Sequence, residues 1–296
     1  MVDAKVREWI PCNLCGCETP SLIFGKKGYD IVQCPKCALI YVGNQPTPEE
    51  LSRLYSFESG YHRALEDDTS ALCRGHLRDS ARYLSCVMKH RRSGRILDVG
   101  CSTGFFLDAA RSQGWSTYGV ELSEDTARIA REKHGLDVKT GVLTEGTYPA
   151  SSFDVVTLWD VIEHVCDPKQ LLATVSKMLA PNGLVALSTP CADGLFPLLS
   201  YQASRLTGLW PHVEPPYHLF QFSRKTITEM LSSAGLEVVE FIHQRTNVSY
   251  TLGPFWKHWR FPKMMLYVAV LAPTILVGPL LHMGDSATVI AVKKGT

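Results

Sequence analysis

From residue 95 onward, apolar runs of about five residues alternate with helical stretches. This rhythm constrains the fold more than any other feature, because such alternation builds βαβ units around a parallel sheet. It predicts strands at 95–99, 116–121, 138–141, 153–159, 183–189, 237–244 and 287–293. Helices are predicted over 104–113, 123–134, 168–180 and 224–234. The first strand runs through Leu97-Asp98-Val99 into Gly100-Cys101-Ser102-Thr103-Gly104, a glycine turn that opens a helix. Such a turn brings backbone N–H groups to a ligand at the carboxyl edge of the sheet. The glycines stand at 100 and 104, so the dinucleotide fingerprint GxGxxG is absent. The second strand ends on Glu121, where a carboxylate can hold a ribose diol.

The amino-terminal segment obeys a different logic. Five of the ten cysteines lie between residues 12 and 37, and four of them read Cys12-x2-Cys15 and Cys34-x2-Cys37. Two such knuckles can converge four thiolates on one tetrahedral zinc ion, with sulfurs about 2.3 Å from the metal. Four thiolates leave no open position, so the zinc is expected to be structural. Cys17 is an alternative to Cys15 as ligand, although the symmetric spacing favours Cys15. Two short strands are expected between the knuckles, across a turn at Gly25–Gly28. Cys73, Cys86, Cys101, Cys166 and Cys191 are scattered and read as small buried hydrophobes. The first fifteen residues hold no apolar core, so no secretory leader is expected and the reading is cytoplasmic. Residues 1–50 carry five Lys/Arg against six Asp/Glu, and the whole chain is +1. That balance disfavours nucleic acid as a partner.

With 296 residues, 45% of them hydrophobic, the chain is long enough for one large α/β domain and a small module. The expected division is a zinc ribbon at 1–45, a linker and helical cap at 46–94, and an α/β domain at 95–296. Two inserts interrupt that domain, a lid at 191–222 and an apolar stretch at 254–283. Thr47 and Pro48 mark a helix start in the linker, and a helical pattern follows over 71–90.

Residues 95–190 resemble class I S-adenosylmethionine-dependent methyltransferases. LDVGCSTG is similar to their motif I, and Gly119-Val120-Glu121-Leu122-Ser123 to their second-strand acidic motif. Phe153-Asp154-Val155-Val156, Val161-Ile162-Glu163-His164-Val165 and Leu179-Ala180-Pro181-Asn182-Gly183-Leu184 resemble the fourth strand, the turn after it and the lead-in to the fifth. The nearest subgroup joins an amino-terminal zinc ribbon to a small-molecule methyltransferase related to quinone-biosynthesis O-methyltransferases. The resemblance implies a Rossmann-like, seven-stranded sheet with S-adenosyl-L-methionine as cofactor. It puts Asp98, Gly100, Cys101, Ser102 and Gly104 at the methionine moiety, with Trp159 and Asp160 on that side. Glu121 would hold the ribose and Leu122 would flank the adenine. The family often has an acidic residue just after the third strand, whereas this stretch reads Gly141-Val142-Leu143-Thr144-Glu145, so the adenine contact stays open between a backbone amide and Leu143.

For an acceptor hydroxyl, Glu163, His164 and His218 are the catalytic candidates. His164 is either a general base or a residue capping the next helix. His218 is either a base or a residue fixing the lid. A metal at Glu163 and His164, as in quinone O-methyltransferases, is a third expectation. The lid insert reads as a loop carrying Trp210, His212, Glu214 and Tyr217. Residues 264–281 contain no charge but are interrupted by Pro273, Gly278 and Pro279. They are preceded by Trp256, Lys257, Trp259, Arg260 and Lys263, the pattern of an interfacial anchor. Residues 256–281 are therefore expected as one or two helices on the ligand side, broken at Pro273. They would act as a substrate cap or in peripheral membrane contact. The activity expected is methyl transfer to a small apolar or lipid-linked acceptor, at oxygen. Carbon transfer to a sugar and an RNA methyltransferase are the alternatives.

Overall fold

The structure is a computed structural model that describes residues 8–55, 71–207, 210, 213–244 and 262–294. Phe57, Tyr61 and His62, His212, and the Trp256–Arg260 run lie outside the described residues. The ribbon contributes β1 (Ser21–Lys26), β2 (Tyr29–Gln33) and β3 (Ile40–Val42). Helices α1 (Pro48–Leu54) and α2 (Ala71–His90) follow. Thr47 caps α1 as expected: its Oγ1 accepts the Glu50 N–H at 3.3 Å, and the Glu50 carboxylate accepts the Thr47 N–H at 2.8 Å.

The α/β domain then runs β4 (Arg95–Val99), α3 (Phe105–Ser112), β5 (Ser116–Glu121), α4 (Glu124–His134), β6 (Asp137–Thr140), β7 (Phe153–Trp159), α5 (Pro168–Met178) and β8 (Leu179–Pro190). It continues through α6 (Leu195–Thr207), β9 (Phe220–Gln221), α7 (Arg224–Ser233), β10 (Leu236–Gln244), α8 (Pro262–Val277) and β11 (Ser286–Lys293). Seven strands form one sheet in the order β10-β11-β8-β7-β4-β5-β6. Only β11 is antiparallel, between β10 and β8. All seven strands expected from the sequence are present. The alternation of side chains sorts the core into two layers. Ile96 and Val155 join α2, α3 and α4 on one face, and Leu97 and Val156 join α5 and α7 on the other. From β4 the chain winds outward through β5 and β6, then returns to β7 on the other side of β4. The crevice at that reversal, outside the carboxyl ends of the strands, is where such sheets take ligands.

Two expectations are corrected. The insert at 191–222 is not a bare loop, since it holds α6 and β9. α6 buries Phe196 against Leu271 and Ile275 of α8. Pro273 does not break the apolar stretch, because α8 runs through it and stops at a 3-10 turn over Gly278–Leu281. An interior proline removes one helical hydrogen bond. Here Pro273 and Ala269, the residue whose carbonyl it leaves, are both exposed to water. The turn falls instead at Gly278, whose carbonyl accepts the Met283 N–H at 2.8 Å. Sixteen residues make α8 about 24 Å long, short of a hydrocarbon core of about 30 Å. No described helix is long and apolar enough to cross a membrane. Ser286 pairs with both Pro190 and Gln244, so α6 and α8 sit at the ligand edge of the sheet.

The ribbon is not closed on itself. Its sheet has the order β1-β2-β3-β9, so the lid insert supplies its fourth strand, with Ile40 opposite Gln221 and Tyr41 opposite Phe220.

Candidate active site

A cavity of about 550 Å³ opens at the carboxyl ends of β4, β5 and β7. Gly100 turns there with φ 73°, and its N–H donates to Val120 O at 2.7 Å. A Cβ on Gly100 would come within 2.7 Å of Val161 Cγ2, so the close approach needs glycine. Gly104 has another task. It is absent from the cavity wall and caps α3 with φ 90°, where a Cβ would collide with Leu136 Cδ1. Asp98, Cys101, Ser102, Glu121, Leu122, Trp159 and Asp160 all line the cavity. So do Gly141, Val142 and Leu143 after β6, the stretch expected to meet the adenine.

The two acidic groups of the crevice are held differently. Glu121 is buried, and its carboxylate oxygens accept the N–H groups of Ser102 and Ser123, each at 2.9 Å. Each oxygen keeps a second lone pair for a ligand hydroxyl. Burial pushes its pKa up, against the pull of those N–H donors. Asp98 is buried more completely, with one hydrogen bond to its carboxylate among the described residues, from Thr157 Oγ1 at 2.7 Å. Burial raises its pKa to about 8.

The turn after β7 brings the catalytic candidates together. Asp160 stands in the left-handed region with φ 53°. Its N–H donates to Ser188 Oγ at 2.9 Å, its Oδ1 accepts from that hydroxyl at 2.8 Å, and its Oδ2 accepts from Tyr83 at 3.3 Å. Tyr83 lies flat on Trp159, with ring centroids 4.1 Å apart. Glu163 is 1% exposed, and neither carboxylate oxygen has a hydrogen-bond partner among the described residues. Burial drives its pKa well above the carboxylate range. His164 Nδ1 lies 2.8 Å from both Tyr217 O and Tyr55 Oη. A carbonyl only accepts, so Nδ1 carries the proton and Nε2 keeps the lone pair in the neutral ring. Burial also lowers the His164 pKa, favouring that neutral form. Nε2 faces Glu163 Oε1 at 3.9 Å, and the His218 ring lies 4.9 Å from His164. One donor atom from each of Glu163, His164 and His218 falls within 4.8 Å of the others. His164 thus serves two ends: its Nδ1 fixes the 217–218 segment while the ring lines the cavity.

Residues of 51–55 and 76–83 complete the site, and this the strand motifs did not reveal. Tyr55, His76, Asp79 and Tyr83 line the cavity from α1 and α2. They lie outside the motif block, and the only sequence signals were the α1 cap and the helical period of α2.

In the ribbon, Cys12, Cys15, Cys34 and Cys37 bring their sulfurs within 4.8 Å of one another. Cys12 and Cys37 are 3.5 Å apart, and Cys15 and Cys34 are 3.4 Å apart. Cys17 turns away to Thr19 Oγ1 at 3.7 Å. The cluster therefore has the donors of a closed tetrahedral zinc site.

Comparison with known proteins agrees with this geometry. Residues 65–241 match a family model described as a methyltransferase domain. A Mycolicibacterium smegmatis protein named a probable S-adenosylmethionine-dependent methyltransferase is 30% identical over 51% of this chain and 55% of its own length. The ubiquinone biosynthesis O-methyltransferase of Thiobacillus denitrificans is 31% identical over 56% of this chain and 72% of its own. For that of Bordetella avium the values are 35%, 32% and 42%. The chain thus spans about half the length of most curated relatives it matches. Among solved structures, a SAM-dependent methyltransferase from Archaeoglobus fulgidus superposes with a TM-score of 0.51 at 16% identity. It covers 74% of this chain and 94% of its own. At that identity the likeness shows the fold alone. The match over residues 65–241, the seven-stranded sheet and the glycine-turn crevice place the chain in the S-adenosylmethionine-dependent methyltransferase family.

Proposed function

We propose that the protein transfers a methyl group from S-adenosylmethionine to a hydroxyl of a small, largely apolar acceptor. The observation that carries this reading is the neutral His164, its Nε2 lone pair free and its ring on the same cavity as Asp98 and Glu121. The similarity to ubiquinone biosynthesis O-methyltransferases supports oxygen as the acceptor atom. The cofactor supplies an electrophilic methyl group on a sulfonium. The protein's share is to align the acceptor, which alone can lower a barrier by about 7–11 kcal/mol, and to take its proton. His164 Nε2 accepts that proton, and Asp160 favours the imidazolium that forms. The proton stays on Nδ1, donated in a hydrogen bond to the Tyr217 carbonyl, throughout. The test is incubation with methyl-labelled cofactor and a panel of phenols and catechols with and without alkyl tails, with products read by mass and NMR. Label on carbon, or on none of the panel, would overturn the reading.

A second reading rests on the orphaned carboxylate. A buried polar group with no partner calls for an explanation. Glu163, His164 and His218 together fit a divalent cation that would orient the acceptor. Loss of transfer on dialysis against chelator, restored by a divalent ion while the zinc content stays constant, would select it over proton transfer by His164 alone.

Three further outcomes follow from this reading. Elemental analysis is expected to find one zinc per chain, held by Cys12, Cys15, Cys34 and Cys37; a zinc-free preparation would remove the metal. Glu121→Ala is expected to weaken cofactor binding by about 1.5–3 kcal/mol in titration calorimetry, with the fold retained. The raised pKa of Asp98 gives a stability contribution present below pH about 4 and lost as pH rises toward about 8. Binding of a cationic cofactor selects the ionised carboxylate, so affinity should climb between about pH 6 and about 8; a flat profile would detach Asp98 from the cofactor.

The apolar acceptor reading also draws on α8. Val270, Leu276, Val277, Leu280 and Leu281 are all more than 40% exposed at the ligand edge. The sequence from Arg245 to Gly284 holds four Lys/Arg and no Asp or Glu. That composition fits peripheral contact with an anionic lipid surface. Sedimentation with anionic vesicles that is reversed by salt would support such contact; no sedimentation at low salt would exclude it.

A further inference from the structure

The turn from Asp160 to Asp167 carries Glu163 and His164, and the four-cysteine ribbon grips it from two directions. From the first knuckle, Asn13 Nδ2 donates to Asp167 Oδ1 at 2.9 Å, and the Lys169 N–H donates to Asn13 Oδ1 at 3.1 Å. Lys169 Nζ also reaches Leu14 O at 3.4 Å. From the second knuckle, the Cys34 N–H donates to Leu39 O at 2.9 Å and turns the chain into β3. The Val42 N–H donates to Leu219 O at 2.8 Å. The Leu219 and Phe220 N–H groups in turn both donate to Glu163 O, at 2.8 and 3.2 Å. One step earlier, the His218 N–H donates to Glu214 O at 3.0 Å, and Tyr217 O accepts a hydrogen bond from His164 Nδ1–H. The cofactor crevice is bonded within the sheet: the Gly100 and Cys101 N–H groups donate to Val120 O at 2.7 and 3.2 Å, and Glu121 accepts from the Ser102 and Ser123 N–H groups.

We infer that the metal-organised ribbon is the positioning element of the reacting turn: it sets Glu163, His164 and His218 in register and leaves the cofactor crevice to the sheet. A ribbon of some 35 residues is too small to bury a core of its own. In modules of that size, gathering thiolates on a metal is the folding event. Without it, Asn13 and β3 lose their fixed positions, and the 217–220 segment loses the strand that pairs with it. A shift of about 1 Å in a positioned group can cost on the order of a hundredfold in rate. The inference rests on the zinc and His164 assignments above. Its test therefore uses a readout that needs no acceptor.

The experiment is hydrogen exchange by mass spectrometry on the full chain with bound cofactor, zinc-loaded and then stripped by chelator, with zinc measured in each sample. Stripping is expected to speed exchange by about tenfold or more in peptides covering 160–167 and 213–222, as in a segment losing local stability. Peptides over 95–121 should not change, and cofactor affinity should stay within about twofold. Transfer should fall about a hundredfold and return with zinc. Asn13→Ala keeps all four thiolates, so it should loosen 160–167 and shift the pH profile of transfer while zinc content and the 213–222 peptides hold. Faster exchange confined to 8–45 would overturn the inference, and so would parallel loss of protection at 95–121. Coupled exchange without any methylated product would leave the coupling in place and count against the proposed reaction instead.

Discussion

Replacing His164 by alanine is expected to lower the maximal rate of transfer by about 10²–10⁴-fold, the range of a lost general base. Cofactor affinity should hardly change, because the ring reaches the cavity from the turn after β7 and not from the glycine turn. The neutral ring is fixed with its proton on Nδ1, against a carbonyl. Glutamine in its place could donate to Tyr217 O and would still lack a basic nitrogen at the Nε2 position. His164→Gln should therefore keep the fold and the cofactor and lose the rate. A drop in apparent acceptor affinity with the maximal rate unchanged would assign His164 to binding rather than proton transfer. Transfer by the wild type should also weaken as pH falls through the lowered pKa of His164, since protonation fills Nε2.

The largest expected effect on stability is at Gly104. Its φ of 90° strains any side chain placed there, and a Cβ also strikes Leu136 and presses on Ala130. Gly104→Val should cost about 2–6 kcal/mol, combining backbone strain with overpacking. In a domain of this size that lowers the melting temperature by roughly 5–20 °C. Gly114 supplies the control. It has nearly the same φ, 88°, and open space around its Cβ position. Gly114→Val should show only the strain share. Equal losses at the two positions would show that the packing of α3 on α4 contributes nothing there.

Much of this was legible in the sequence, and the exceptions have physical causes. Strands β4, β7, β8 and β11 announce themselves because both their faces are covered, so each carries a short, nearly continuous apolar run. LDVGCSTG and Glu121 are equally plain, since a crevice at a sheet edge needs glycine and a terminal carboxylate at fixed spacing. The cysteine knuckles are local and depend on nothing distant. α6 was hidden because Gly194, Pro197 and Gly208 punctuate it and read as loop. Pro273 reads as a helix break in the sequence, yet its effect depends on whether water can reach the freed carbonyl, which only the packed structure decides. β9 is two residues long and exists because β3 offers it an edge. Tyr55 and Tyr83 reach the cavity from helices whose sequence carries no mark of it. Glu163, His164 and His218 were all named from sequence, but their convergence depends on a hairpin of contacts through Tyr217 and Leu219.

The strand that the lid insert lends to the ribbon also fixes an order of assembly. Ile40 and Tyr41 are made early, but their partners Gln221 and Phe220 emerge from the ribosome about 180 residues later. Until then β3 presents a bare edge of N–H and C=O groups, a surface that pairs with whatever strand is at hand. The earlier-made ribbon is thus finished only when the lid insert arrives, before β10 and β11 have been made to complete the large sheet. Ribosome-stalled chains ending near residue 210 should be captured by strand-forming peptides through 40–42. Chains released beyond residue 235 should escape that capture, having sealed the edge with their own residues.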